Sequence, residues 1–306
     1  MKRIKIGVLG AGQMGSIHGR LIRQLKDSFE LVGVYDLNQD RALQFSEAFN
    51  TPVFDSLEQL LEVSEAVDIS TSTPAHFQLA MKALTAGKHC FIEKPLTATA
   101  QESKQLMDAV NKTNLVLMVG HVERFNPAFI AARDQMKRPK LIEAVRLTGP
   151  GSRGLDVPVV MDMMIHDLDL ILSLHPKEVA EVRATGQQVF TNFHDTVFAE
   201  LTFEDGVVAR LTASRAHHRK ARLLTWYQAK ETIEIDMLEQ KAWSQVWSSN
   251  GSSETRPFYV LPNNAILEEL RCFAQSIAEN TDPPVTVSQG YRNVALAQRI
   301  VEALQH

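Results

Sequence analysis

The stretch Ile4-Lys5-Ile6-Gly7-Val8-Leu9-Gly10-Ala11-Gly12-Gln13-Met14-Gly15 decides the fold. The β-branched, apolar run Ile4–Leu9 has the pattern of a buried strand, and it stops at a G-x-G-x-x-G turn. Apolar residues at helical spacing follow through Leu21, Ile22 and Leu25. A second strand-like run, Phe29–Tyr35, then ends at Asp36, 21 residues after Gly15. Strand, glycine turn, helix, strand and acid in this order make a dinucleotide-binding unit. Gly10 permits the tight turn, Gly12 lets the backbone approach a pyrophosphate, and Gly15 lets helix and strand pack closely. Gln13 and Met14 lie in the same turn, where unpaired N–H groups and the positive end of the helix meet the pyrophosphate. The Asp36 carboxylate suits the hydroxyls of an adenosine ribose and repels a 2′-phosphate. No arginine follows it directly (Leu37-Asn38-Gln39), although Arg41 is near. NAD is therefore favoured over NADP.

The alternation of strand and helix continues. Ser56 with Gln59 has the form of a capping box. Val67–Ser70 is a buried-type strand that runs into Thr71-Ser72-Thr73-Pro74, with His76 in the first turn of a helix extending to Ala86. Ser72, Thr73, Pro74 and His76 then lie beyond a strand's carboxyl end, where they line the dinucleotide groove. For His76, a surface position at the helix start is an equal alternative. Gly87 fits a helix C-cap. After it, Lys88-His89-Cys90-Phe91-Ile92-Glu93-Lys94-Pro95 reads as a short apolar strand that delivers Glu93 and Lys94 to its carboxyl end. Ligands of open parallel sheets sit at that edge, so Lys94 stands at the centre of the chemistry. Thr99 with Glu102 is a second capping box, and Leu115–Val119, ended by Gly120, completes the domain. Residues 1–120 form a Rossmann domain and 121–306 a second domain.

Bulk properties agree. A chain of 306 residues with 44% apolar content supports two cores. A net charge of −4 argues against nucleic acid as partner. Two cysteines, Cys90 and Cys272, point to a reducing compartment without a disulfide framework. No signal-peptide pattern and no membrane-length apolar run is evident, so a cytoplasmic enzyme is expected.

Three stretches of the second half carry polar chemistry. In Gly120-His121-Val122-Glu123-Arg124-Phe125-Asn126-Pro127, Arg124 and Asn126 offer donors to a cofactor or substrate hydroxyl; a polar linker capping a helix at Pro127 is the alternative. In Met161-Asp162-Met163-Met164-Ile165-His166-Asp167-Leu168-Asp169, the residues Asp162 and His166 are four apart and share a helix face. A carboxylate beside an imidazole holds its tautomer and raises its basicity, which suits a proton acceptor at neutral pH. A metal site of Asp162, His166 and Asp169 would lack a complete ligand set, so no metal is expected. Ser214–Arg222 is basic, and Arg215 and Arg222 suit a diphosphate; a solvated turn is the alternative. Val179–Thr185, Thr196–Phe203, Val207–Thr212, Leu223–Tyr227 and Thr232–Ile235 alternate as strands of a one-sided sheet. Gly251–Glu254 reads as a polar turn, and Ile266–Ala278 and Tyr291–Leu304 as amphipathic helices.

The elements Gly10–Gly15, Asp36, Thr73-Pro74-x-His76, Gly87-Lys88 and Glu93-Lys94-Pro95 resemble, in order and spacing, the glucose-fructose oxidoreductase / inositol dehydrogenase / rhizopine-catabolism (Gfo/Idh/MocA) family. His121 stands where that family usually has an aromatic residue. The resemblance implies a Rossmann domain followed by an α/β domain built on a large open-faced, mostly antiparallel sheet. It implies a tightly held nicotinamide cofactor and oxidation of a secondary alcohol on a sugar or cyclitol. It also implies that Asp162 and His166 face Lys94 across the active site, with Lys94 or His166 as the formal base. The segments around Arg124 and His166 look most like a subgroup that oxidises C3 of UDP-N-acetylglucosamine on the way to the diamino sugars of lipid A. A free-sugar or cyclitol dehydrogenase is the enzymatic alternative, and a catalytically idle NAD-sensing regulator the alternative of another class. The uncovered sheet face implies a homodimer or homotetramer.

Overall fold

The computed structural model describes residues 2–151, 155 and 157–305. The chain divides into two compact units. One runs to Val122 and takes up Ile266–Val294 again; the other comprises Glu123–Ala265 and the chain from Ala295.

The first unit is a five-stranded parallel sheet in the order β2-β1-β3-β4-β5. Its strands are β1 (Ile4–Leu9), β2 (Phe29–Tyr35), β3 (Ala66–Ile69), β4 (His89–Glu93) and β5 (Leu117–Gly120). The connections are α1 (Gln13–Gln24), α2 (Gln39–Phe49), α3 (Leu57–Val63), α4 (Thr73–Thr85) and α5 (Ala100–Val110). Strands β3, β4 and β5 are buried along almost their whole length, as expected for a sheet whose strands are covered on both faces. The anticipated caps are in place. Thr99 and Glu102 form a reciprocal capping box on α5, and Ser56 Oγ accepts from Gln59 N–H on α3. Gly87 closes α4 at φ 72°, with Gly87 N–H donating to Leu84 O and Lys88 N–H to Ala83 O, the paired bonds of a Schellman motif.

The expected domain boundary is corrected in one respect. The chain leaves the first unit at Val122, but α8 (Ala265–Glu279) and the start of α9 (Val287–Ala303) return to it. The reason is apolar: Phe273 of α8 is fully buried, its ring 6.3 Å from Phe29 and 5.8 Å from Phe91. At the crossing, His121 is buried and pairs its Nε2 with Asn293 Nδ2 at 3.2 Å.

The second unit is an eight-stranded sheet in the order β13-β12-β11-β10-β6-β9-β8-β7, antiparallel except for the β6/β9 pair. The strands are β6 (Leu141–Leu147), β7 (Val179–Gln187), β8 (Thr196–Phe203), β9 (Val208–Ser214), β10 (Ala221–Gln228), β11 (Glu231–Asp236), β12 (Lys241–Trp247) and β13 (Ser253–Pro257). One face packs on α6 (Pro127–Ala132), α7 (Ile165–Leu174) and the end of α9, around Trp226, Phe129 and Phe203. Along β8, Val197, Ala199, Leu201 and Phe203 are buried while Thr196, Phe198, Glu200 and Thr202 are not. On the other face a row runs in register across four strands, Leu223–Val145–Thr212–Phe198, with Phe198 52% exposed. The polar turn expected at Gly251–Glu254 is shorter than anticipated. Gly251 turns at φ 84°, and Ser253 already begins β13, an exposed edge strand whose composition gives no apolar alternation.

Candidate active site

Order reversal in the first sheet falls between β1 and β3, whose carboxyl ends carry the glycine turn and Thr71–Pro74. That crevice is where an open parallel sheet binds its ligand. Gly10 adopts φ 97°, and a Cβ there would meet Ser70 O at 2.8 Å. A Cβ on Gly15 would stand 1.8 Å from Gly10 O, so helix α1 can close on the turn only through glycine. Gly12, the N-cap of α1, is different: a Cβ there would meet nothing within 4 Å. Two glycines are closed by the protein and the middle one faces open space, beside the exposed Gln13 and half-buried Met14. No acid stands in the first turn of α1 to compete for its N–H groups. Asp36 braces the loop: Oδ2 accepts from Ala11 N–H at 2.6 Å and Oδ1 from Asn38 N–H at 2.8 Å. Each oxygen keeps a second lone pair for a ribose hydroxyl. The donors, the open backbone and the acid fit a dinucleotide.

The β3 side presents Ser72 and Pro74 exposed and Thr73 half-buried, at the start of α4. His76, expected in the groove, is instead buried beneath it, with Nδ1 2.9 Å from Pro95 O and Nε2 3.2 Å from Thr71 O. Burial lowers its pKa in spite of these carbonyls. A neutral imidazole donates from one nitrogen, and the shorter contact assigns that N–H to Pro95 O. His76 thus ties the α4 start to the turn that carries Lys94.

Strand β4 delivers Glu93 and Lys94 as the sequence predicts. Lys94 is half-buried, while Glu93 turns inward rather than to the cofactor groove. Its Oε2 accepts from Lys94 N–H at 3.2 Å, and its Oε1 lies 3.2 Å from His18 Nε2, an ion-pair contact not aligned as a hydrogen bond. His18 Nδ1 in turn lies 2.8 Å from Asp68 Oδ2, and Ser70 Oγ donates to Asp68 Oδ1 at 2.8 Å. Burial works against a charge on His18, yet Asp68 and Glu93 raise its pKa well above the ordinary value. Burial alone would raise Glu93 too, but its contact with His18 and the charges of His18 and Lys94 hold its carboxyl low.

In the second unit, Asp162 lies in a π-helical turn, Val160–Met164, that runs directly into α7, with His166 in the first turn of α7. Both are half-buried, while Met163, Met164 and Ile165 between them are buried. A π turn at this position is a common mark of a functional segment.

The expectations for Arg124, Asn126 and Arg215 are corrected. Arg124 spends its fork on Asp169, at 2.7 Å through Nε and 2.7 Å through Nη2. Asn126 caps α6: its Oδ1 accepts from Ala128 N–H, and its Nδ2 donates to Glu123 and to Met237 O. Arg215 is buried, donating to Val157 O at 2.6 Å with Asp195 at 3.5 Å, so it holds the loop instead of presenting a donor outward. Arg222 remains 49% exposed, 3.3 Å from Glu123. Glu123 and Asp167 both converge on Arg146, a network with no counterpart in the expectations. Its signal was Arg146 at an inward position of β6, where alternation calls for an apolar residue.

Comparison with known proteins bears on this arrangement. The model of the "Oxidoreductase family, NAD-binding Rossmann fold" (GFO_IDH_MocA) matches residues 4–121, and that of the "GFO/IDH/MocA C-terminal domain" matches residues 151–236. The chain belongs to the Gfo/Idh/MocA oxidoreductase family. UDP-N-acetylglucosamine 3-dehydrogenase from Acidithiobacillus ferrooxidans is 36% identical over 78% of this chain and 75% of the relative. A solved structure of that enzyme superimposes with a TM-score of 0.94 at 32% identity, covering 100% of this chain and 99% of the other. Myo-inositol 2-dehydrogenase of Thermotoga maritima is 24% identical over 99% of this chain and 96% of its own. Levoglucosan dehydrogenase in complex with NADH shares the fold, with a TM-score of 0.90 at 20% identity over 99% and 97% of the two chains. As a Gfo/Idh/MocA member the protein is an enzyme, a dehydrogenase of sugar-type alcohols, and its cofactor is a nicotinamide dinucleotide. Among the described residues no helix is long and apolar enough to cross a membrane.

Proposed function

We propose that the protein is an NAD-dependent dehydrogenase that oxidises C3 of UDP-N-acetylglucosamine, the first step towards a 2,3-diamino sugar of lipid A. What carries the substrate choice is the similarity along the entire chain to an enzyme named for that reaction, at 32% identity and a TM-score of 0.94. The choice of NAD rests on Asp36, whose carboxylate stands at the end of β2 and would repel a 2′-phosphate.

The bound nicotinamide supplies the hydride acceptor. The N–H groups at the start of α1 take the pyrophosphate, with Gly12 allowing the approach. Ser72, Thr73 and Pro74 border the same crevice. Lys94 hydrogen-bonds the reacting oxygen and stabilises the charge that develops there. His166 takes the hydroxyl proton, and Asp162 orients the imidazole or grips a neighbouring hydroxyl. Lys94 and His166 are the two candidates for the formal base. Arg222 is the arginine we assign to the diphosphate, and Arg215 supports its loop. The outer sheet row Leu223–Val145–Thr212–Phe198 is the surface through which a dimer or tetramer would form, which light scattering in solution would report.

The deciding experiment is NADH formation by purified protein with UDP-N-acetylglucosamine, UDP-glucose and myo-inositol, coupled to a trap for the ketone. Turnover with the UDP sugar supports the proposal. Turnover with myo-inositol alone would move the protein to the cyclitol branch, a reading favoured by the inward turn of Arg215. Intact NAD binding without turnover on any sugar would point to a sensor.

A further inference from the structure

Helix α8 carries a glutamate where its apolar face packs. Glu269 is fully buried beside Leu270 and Phe273, and among the described residues neither of its carboxylate oxygens has a hydrogen-bond partner. The atoms it offers lie within 4.8 Å of those offered by His18 and Glu93. Phe91 packs edge-on to His18 at 5.5 Å and Phe273 to Phe91 at 5.8 Å, which shields the group from solvent.

The donors around it are already committed. Ser70 O–H serves Asp68, Lys94 N–H serves Glu93, and the two nitrogens of His18 face Asp68 and Glu93. Three acids meet one histidine, and among the described residues Glu269 is the one whose oxygens have no hydrogen-bond partner. An ionised carboxylate left in this state is prohibitively costly, while a protonated one supplies the donor that is missing.

We propose that Glu269 carries a proton beside Glu93, and that this neutral acid, in place of a second carboxylate, sets the negative charge that the pair presents to Lys94. Burial and the charge of Glu93 both raise the Glu269 pKa well above the carboxylic range, against a smaller opposing effect of His18. The titratable groups facing the pair are His18 from α1, Asp68 from β3, and Lys94 and His76 beside Glu93. Glu269 touches neither substrate nor cofactor in this scheme. It is a positioning residue acting through Glu93, and its effect on Lys94 rests on the role given to that lysine above.

Two measurements test the two halves separately. Infrared spectra at mildly alkaline pH, in H2O and D2O, compare the native protein with Glu269→Gln. A carboxylic-acid C=O band present in the native protein and lost in the variant is expected. Absence of the band, or its persistence in the variant, overturns the proton on Glu269, as does a stoichiometric divalent cation bound to the purified native protein. This arm needs no substrate, so it holds whether or not the proposed reaction does. The second arm compares pH profiles of kcat/KM for the native protein, Glu269→Gln and Glu269→Leu. Leucine removes the donor and leaves Glu93 more negative, so its profile departs from the native one. Glutamine is neutral and still donates, so its profile stays native. Three coincident profiles would overturn the link to Lys94, because a purely structural acid would leave them alike.

Discussion

Two buried ionic clusters, one in each unit, show opposite proton accounting. In the second unit Arg146 lies at the centre, its fork on Asp167 at 2.7 Å and 3.0 Å and its Nη1 on Glu123 at 2.9 Å. Glu123 also takes Asn126, with Arg222 at 3.3 Å. Every acid there has a cationic partner. In the first unit Asp68, Glu93 and Glu269 share one histidine, and Glu269 has no donor among the described residues. The saturated cluster pins strand β6 to the start of α7 and has nothing left to give. The donor-poor cluster adjoins the turn that carries Lys94, whose N–H donates to Glu93. Both are buried; what separates them is whether the donors match the acceptors.

The sharpest way to break the comparison is to remove the group that the donor-poor cluster faces. Lys94→Met should lower kcat by a factor on the order of 10²–10⁴ while leaving NAD binding intact, since in the proposed reaction the lysine acts on the reacting oxygen and not on the pyrophosphate. Fluorescence titration with NADH beside steady-state assays separates the two; an active variant would remove Lys94 from the chemistry.

The saturated cluster should answer in stability instead. Arg146→Leu leaves Asp167 and Glu123 buried without their main partner, at a cost of about 3–5 kcal/mol. Arg146→Lys keeps the charge but loses the bidentate fork, and its loss should be smaller. Denaturant unfolding measures both. If the leucine variant were as stable as the native protein, the network would not be what fixes β6.

The glycine turn sharpens the same distinction between closed and open. Gly15→Ala puts a methyl group 1.8 Å from Gly10 O and should cost about 1–3 kcal/mol, with loss of cofactor binding. Gly12→Ala meets no protein atom, so the fold should keep its melting temperature while NAD affinity falls. Equal stability losses in the two variants would contradict the assignment of open space to Gly12.

The Rossmann half was legible in sequence because each signal is local. Glycines of a turn, an acid at a strand end and the capping box of Thr99 with Glu102 need only their own neighbours. The buried ion clusters were not legible, because they join residues from far apart in the chain, as Glu269 joins Glu93 and Arg146 joins Glu123 and Asp167. Each left one trace, a charged residue at an inward position: Glu269 on the apolar stripe of α8 and Arg146 on the inward face of β6. The roles expected of Arg124, Asn126, His76 and Arg215 changed for a related reason. A polar side chain at a site's edge reads the same in sequence whether it reaches for a ligand or for the protein. Here Asp169, Ala128, Pro95 and Val157 are the partners that answer.

The smallest effect is a slope. His18 and Glu269 both have raised folded values, against ordinary values of 6.5 and 4.5. The folded chain therefore holds protons that the unfolded chain releases, and their contribution to stability is lost as pH rises from those ordinary values through the raised ones. For Glu123 and Asp195 of the second unit the sign reverses, although burial raises their neighbour Asp167. Arg146 and Arg222 hold Glu123 low against burial, and the N–H groups of Phe190, Val189 and Thr191 hold Asp195 at about 2, again against burial. Their contribution is present above the unfolded values and lost as pH falls. Glu269→Gln removes one of the protons bound on the alkaline side, which flattens stability against pH there by up to about 1.4 kcal/mol per pH unit and leaves the acid limb unchanged. Denaturation curves across the pH range test this, and an unchanged alkaline slope would mean that Glu269 holds no extra proton in the folded chain.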